Sequence, residues 1–264
     1  MSETPYSADR SFYGKLRRRL ARLILPKPAR PEGLTRPMLT LSFDDAPVSA
    51  AQEGAAILAK YGARGTYFIS TGLMGRESHL GAYAGMDDVK ALADAGHEIA
   101  CHTFSHLDCG RAKGVDIIND INQNQSVLKA IGIAPSRTFA YPYGDVSPQA
   151  KAILNDRYLA SRALHHGMIT TGTDLNQAPA VGIEGADGEH TASHWLARAA
   201  ESNAWLVLYT HDVRDTPSDW GCRPQVLDRL IGQAIDMGFE IVTFEHGARR
   251  ALGLPANASQ AEAA

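Results

Sequence analysis

Short apolar runs recur along this chain, each separated from the next by a stretch of helical periodicity. Met38 to Phe43, Thr66 to Ile69, Glu98 to His102, Thr138 to Ala140, Tyr158 to Ser161, Val181 to Ile183, Trp205 to Tyr209 and Glu240 to Thr243 read as strands. Between them the spacing predicts helices. One runs from about Ala50 to Gly62, one is capped by Asp87 and ended by Gly96, and one covers Val115 to Ala130. Ser147-Pro148 is an N-cap and first-turn pair opening another; two more cover Thr191 to Ser202 and Pro224 to Met237. Repeated strand–helix units imply a parallel sheet with helices outside it. Seven or eight such strands can close into a barrel, and 264 residues suit one such domain. An open doubly wound sheet is the alternative, but no glycine-rich phosphate loop follows the first run. The expected class is therefore α/β: a single (β/α) barrel, distorted, seven-stranded and TIM-like, over residues 36–250.

The two ends differ from this pattern. Residues 1–35 form a basic amphipathic segment and linker. Phe12, Leu16, Leu20, Leu23 and Ile24 share one face of a predicted helix, with Lys15, Arg17, Arg18, Arg19 and Arg22 elsewhere around it. Such a helix either touches an anionic membrane surface through residues 10–25 or packs its apolar face against its own barrel. Pro26 to Pro37 reads as a linker, and 251–264 as a small, polar, disordered tail. A formal net charge of −3 argues against a nucleic-acid partner. Cys101, Cys109 and Cys222 form no CxxC pair, and any disulfide would leave one over. The longest N-terminal apolar run stops at Pro26, short of a signal sequence. Both observations point to a cytoplasmic location, with peripheral membrane association at the inner face as the extension.

The residues that carry chemistry sit at strand ends. Asp44 and Asp45 end the first run, His102 ends the third and His106 follows four residues on; Tyr141-Pro142-Tyr143 follows the fourth, and His211-Asp212 ends the seventh. In a parallel barrel all these ends open onto one face. Adjacent carboxylates diverge, so one can hold a metal while the other acts as general base; a helix N-cap is the plain alternative. The H-x3-H spacing suggests two imidazoles on one side of a helical turn, and two histidines with one carboxylate meet the ligand count of a catalytic zinc site. His211 titrates near neutrality and is placed to protonate a leaving amine, with Asp212 or another carboxylate orienting it. Cys101 and Cys109 read as small buried thiols rather than ligands. Tyr141, Tyr143 and Tyr209 are candidates for stacking on a substrate.

Taken in order, these motifs resemble those of the NodB-homology polysaccharide deacetylases, carbohydrate esterase family four, from about Met38 to Thr243. Ser42-Phe43-Asp44-Asp45 is similar to the first motif, His102-Thr103-Phe104-Ser105-His106 to the second, Phe139-Ala140-Tyr141-Pro142-Tyr143-Gly144 to the third and Leu208-Tyr209-Thr210-His211-Asp212 to the fifth. The resemblance implies Asp44 as catalytic base, Asp45, His102 and His106 as metal ligands, the Tyr143 backbone N–H at the oxyanion and His211 as general acid. It implies a divalent metal, zinc first with cobalt or nickel as alternatives, and an N-acetylated glycan as substrate. The chain departs from the family at Ala140, where the commoner third motif has an arginine supporting the base, and no fourth-motif acidic-Trp pair is evident. Some branches share the F-A-Y-P-Y/F-G form. Arg162, near the next strand end, is expected to supply the missing charge. Ala46 replaces the usual glycine after Asp-Asp. A role in exopolysaccharide or adhesin synthesis, on a lipid-linked precursor, extends the reading. A related C–N hydrolase acting on a small non-sugar amide, and an inactive glycan-binding homologue, are the alternatives.

Overall fold

The computed structural model describes residues 11–31 and 34–255, so the expected tail lies, from residue 256 on, outside the described residues. The strands of the main sheet are β1 (Met38–Asp44), β2 (Thr66–Ile69), β3 (Glu98–Cys101), β4 (Thr138–Ala140), β5 (Ala160–Arg162), β6 (Val181–Gly182), β7 (Trp205–Thr210) and β8 (Glu240–Ile241). The helices are α1 (Phe12–Leu23), α2 (Ala55–Lys60), α3 (Met86–Asp94), α4 (Gly114–Ala130), α5 (Pro148–Asn155), α6 (Gly188–Glu201), α7 (Pro224–Asp236) and α8 (Phe244–Ala251). All pairings among these strands are parallel, in the order β5-β4-β3-β2-β1-β7-β6, with β8 beside the first half of β1. The curl closes without a continuous ladder. Ala178, just before β6, accepts from Ala163 and donates to Ser161, bridging β5 to the other end of the path. This is the expected distorted seven-stranded barrel.

Register follows from which residues each face can bury. Leu39, Leu41 and Phe43 of β1 point outward into a core shared with Leu58, Leu92, Leu196, Leu227 and Ile231 of the covering helices. Each such side chain contributes about 1.5–3 kcal/mol when fully buried. The alternate residues line the interior, where Met38, Phe68, Ala100, Ala140, Ala160, Val207 and Tyr209 form a second cluster. A slip of one residue would exchange the two sets and turn Asp44 outward. Covered on both faces, β1 and β7 are buried throughout, so they read as continuous runs rather than alternating ones.

The lower end is sealed by α8, which sequence periodicity did not reveal. Phe244, Ala248 and Ala251 join the interior cluster, and Gly247 lies against the Trp205 ring, where a Cβ would stand 2.3 Å from it. Glu98 at the start of β3 accepts from Thr66, Thr138 and the Glu245 N–H, tying α8 to the strand starts. Burial pushes its carboxyl up to about 7.

At the N-terminus, α1 packs against α5 in the opposite sense to one sequence expectation. Its buried residues are Gly14 and Ala21, while Phe12, Leu16, Leu20 and Leu23 stay exposed. Small residues allow close approach, and polar anchors hold it. Arg17 pairs with Asp145 at 2.5 Å, and the fully buried Lys151 donates to the Ala21 carbonyl. The proline-rich stretch that follows is also fastened to the barrel: the Ala29 N–H donates to Thr173 and that of Leu175 to Lys27.

Candidate active site

Side chains from five strand ends meet at the open end of the barrel. The interior positions below them are alanines on three neighbouring strands, Ala100, Ala140 and Ala160. Their small size leaves room for two large polar groups, His102 and Arg162.

Asp45, His102 and His106 form the centre. One ligand atom from each lies within 4.8 Å of the others, with Asp45 Oδ1 at 3.8 Å from His102 Nε2 and 3.6 Å from His106 Nε2. His102 Nδ1 is 2.8 Å from the Ala140 carbonyl. That carbonyl can only accept, so Nδ1 carries the proton and Nε2 presents its lone pair. Burial, aided by the neighbouring His106, lowers the His102 imidazole to about 4 and keeps it neutral. Asp45 Oδ1 is buried without a hydrogen-bond partner. An orphaned carboxylate oxygen facing two imidazole nitrogens is a donor set that fits a divalent ion.

The H-x3-H pair does not lie on a helical turn, contrary to expectation. Residues 102–107 are an irregular loop, with Thr103 at φ +63° and His106 at φ +56°. Asp120 of α4 accepts from the N–H groups of Phe104 and Ser105, and Thr103 Oγ1 accepts from Leu107. Asp45 and Tyr143 also adopt positive φ, +58° and +60°. Such backbone is costly for residues with side chains and persists where surrounding contacts over-determine it.

Asp44 is the second carboxylate, 3% exposed. Arg162 Nη2 lies 2.7 Å from its Oδ1 and 2.5 Å from its Oδ2. The guanidinium passes between the rings of Phe68, 5.0 Å from its centroid, and Tyr209, 5.1 Å away. In register, Arg162 is paired with Ala140, so the arginine stands one strand over from the expected motif position. Burial would raise the Asp44 carboxyl, but Arg162, His102 and His211 outweigh it and hold it below its ordinary value.

His211 faces this group from β7. Its Nδ1 is 3.2 Å from the Trp220 carbonyl and 3.3 Å from Glu184 Oε1. Burial opposes its charge, yet Glu184, Asp44 and Asp45 raise the imidazole to about 9. The orienting carboxylate is Glu184, not Asp212. Asp212 is fully buried and accepts from Arg214 and Ser218, organising the loop that brings Trp220 back to His211. Glu184 is not among the residues expected from the sequence, although it directly follows the run Val181 to Ile183, and that position is the signal that marks it.

The tyrosines divide. Tyr143 is exposed, its ring 4.4 Å from that of His106 at 73°. Tyr141 is 1% exposed and gives its hydroxyl to the Asn176 carbonyl; with the buried Pro142 it serves packing, not substrate contact. Tyr209 lies under Arg162 and donates to Glu184, so it supports both charged pairs. Cys101 and Cys109 are buried thiols away from the centre. Beside Glu184 the surface opens into a cleft of about 760 Å³, lined by Gly185, Asp215, Ser218, Asp219, Arg223 and Arg229 among others.

The chain is similar in sequence and in fold to known proteins. The sequence profile of the family "polysaccharide deacetylase" matches residues 32–159. A bifunctional xylanase/deacetylase of Pseudobutyrivibrio xylanivorans is 27% identical over 206 residues, 78% of this chain and 29% of its own length. A chitin deacetylase of Arthroderma benhamiae is 30% identical over 93 residues, 35% of this chain and 24% of its own. The chain thus spans less than a third of the length of either relative. The structure of a family 4 acetyl xylan esterase from Clostridium thermocellum, in complex with a cobalt ion, superposes with a TM-score of 0.57 at 20% identity, covering 83% of this chain and 93% of that one. In its motifs, its barrel and these matches together, the chain is similar to the polysaccharide deacetylases of the NodB-homology group, carbohydrate esterase family four.

Proposed function

We propose that the chain is a divalent-metal hydrolase removing N-acetyl groups from N-acetylhexosamine units of a polysaccharide or its lipid-linked precursor. One observation carries this reading. Across a three-ligand centre, a carboxylate held below its ordinary pKa faces an imidazole held above its own. Environments that push two titratable groups apart in this way assign the base and the acid.

Asp45, His102 and His106 would hold the ion, zinc first, with cobalt or nickel as alternatives; the cobalt in the acetyl xylan esterase is consistent with either. Bound there, a divalent ion supplies Lewis acidity to water and to the amide carbonyl. Asp44, ionised and fixed by Arg162, accepts the proton of the attacking water. The Tyr143 backbone N–H, by its place in the third motif, donates to the developing oxyanion. His211, protonated through neutral pH, delivers a proton to the departing nitrogen, and acetate leaves with the free amine. Glu184 keeps that imidazole charged and oriented. The polar cleft beside Glu184 has room for neighbouring sugar units. We place the reaction on the cytoplasmic side, in exopolysaccharide or adhesin synthesis; three free, buried cysteines agree with a reducing compartment.

The test is acetate release from N-acetylglucosamine oligomers, before and after chelation and with metal added back. Loss on chelation and recovery with zinc or cobalt is expected. Release from a small cyclic amide with none from any oligomer would replace the glycan reading.

A further inference from the structure

The apolar side of α1 has no partner among the described residues. Successive helical positions turn about 100°, so Phe12, Leu16, Leu20 and Leu23 make one row, and Lys15, Arg19 and Arg22 the row beside it. Phe12 is 75% exposed, Leu23 78%, and Leu16 and Leu20 are also open. All three basic residues of the second row are exposed. Nothing about the packing requires the apolar row, because α1 is seated by Gly14, Ala21, Arg17 and the Lys151 contact on its other side. Sequence pressure for four large apolar residues in water therefore asks for an occupant.

We propose that α1 docks this protein on an anionic lipid surface, with the Phe12–Leu23 row in the acyl boundary and Lys15, Arg19 and Arg22 among acidic headgroups. Charge selects that occupant. The helix carries no acidic residue, so a second copy laid on the same face would set one basic row near another. No helix among the described residues is long and apolar enough to cross a membrane, and twelve residues with one polar side suit lying in the interface. The docking would also orient the site. Arg17 reaches from α1 to Asp145, the residue after the Tyr141–Gly144 turn, so the bilayer would lie close to the rim that carries Tyr143. None of the catalytic groups takes part, and the inference stands or falls apart from the deacetylase reading.

The experiment is co-sedimentation of the full chain with vesicles of phosphatidylcholine alone and of phosphatidylcholine with phosphatidylglycerol. Binding to the anionic vesicles, weakened by salt, is expected. Replacing Lys15, Arg19 and Arg22 by Gln should weaken it on the order of 10²-fold, at about fivefold per charge. A Leu16→Asp, Leu20→Asp variant should lose it while keeping the helical circular dichroism and the acetate release of the parent on soluble oligomers. The charge variant leaves the apolar row intact, so it remains informative if the Asp variant misfolds. Failure of the parent to bind anionic vesicles would overturn the proposal. So would a dimer that Leu16→Asp dissociates and that vesicles do not displace, which would make a second copy the occupant.

Discussion

Two charged pairs flank the ligand centre, and they are built differently. Asp44 and Arg162 meet in the barrel interior, with side chains 4% and 0% exposed. His211 and Glu184 meet at the rim, at 15% and 21%. In both, the group facing the substrate is held by an opposite charge from another strand end. Attraction is screened little in the interior and more at the rim, where water reaches the pair. The interior pair therefore couples chemistry to folding, since neither charge tolerates the loss of its partner. The rim pair tunes a proton affinity, and the fold does not depend on it. On the proposed mechanism, a base fixed by structure and an acid adjusted by a neighbour are the outcome.

The most disruptive change takes away what lies between the pairs. Asp45→Ala removes the carboxylate that two imidazoles face, and turnover should fall by about 10³-fold or more, as expected when several kcal/mol of charge stabilisation is lost. Metal content by mass spectrometry should fall with it, while the melting temperature of the metal-free protein stays near that of the metal-free parent. Full activity without bound metal would sink the ligand assignment.

Next is the interior pair. Arg162→Leu leaves Asp44 buried without its cation, which should reduce unfolding free energy by about 3–5 kcal/mol. The sign with pH is fixed by the lowered Asp44 carboxyl. A depressed folded pKa contributes stability above the unfolded value and loses it as pH falls through the folded one. The parent should thus shed this stability on acidification, and the variant should show a flatter profile there, with the acid limb of its turnover moved upward. Urea titrations at several pH values test this; superimposable pH dependence would mean that Arg162 is not what holds Asp44 down.

A smaller shift is expected at the rim. As the proposed acid, His211 must be protonated, and its raised value, about 9, keeps it so at neutrality. Glu184→Gln keeps the shape and removes the charge. The basic limb of kcat/KM should move down by a unit or more, on the order of tenfold in activity at mildly alkaline pH. The acid limb, belonging to Asp44, should stay in place. Movement of both limbs together would show that the two pairs titrate as one.

How much of this was legible in the sequence follows the same division. Strands buried on both faces announce themselves as apolar runs, so β1, β2, β4 and β7 stood out, and with them Asp44, Asp45 and His211 at their ends. Arg162 is legible because it closes a strand, although that strand begins two residues later than the Tyr158 run suggests. Glu184 follows a strand of only two residues, too short to draw the eye to its end. The H-x3-H spacing could not reveal that Asp120, in a helix further along, bends the loop out of helical form. The last helix, α8, is only eight residues long and, apart from Phe244, buries small residues, Gly247, Ala248 and Ala251, so no row of large apolar side chains marks it. Where the controlling contact is local or strictly periodic, the sequence discloses it; where it comes from a distant side chain, it does not.

The finest distinction concerns two tyrosines two positions apart, one on each side of the turn after β4. Tyr143 is exposed beside His106, whereas Tyr141 is sealed in the core between the barrel and α5. Tyr143→Ala should raise KM for a glycan severalfold, in keeping with about 0.5–1.5 kcal/mol for an aromatic contact, and leave kcat nearly intact. Tyr141→Phe should do the reverse. Losing the hydroxyl that meets the Asn176 carbonyl should lower stability by about 1 kcal/mol and leave both kinetic constants where they were. If Tyr141→Phe instead changed KM as much as Tyr143→Ala, the turn would have to expose its buried tyrosine during catalysis. The separation drawn between a supporting side and a substrate-facing side of this turn would then fail.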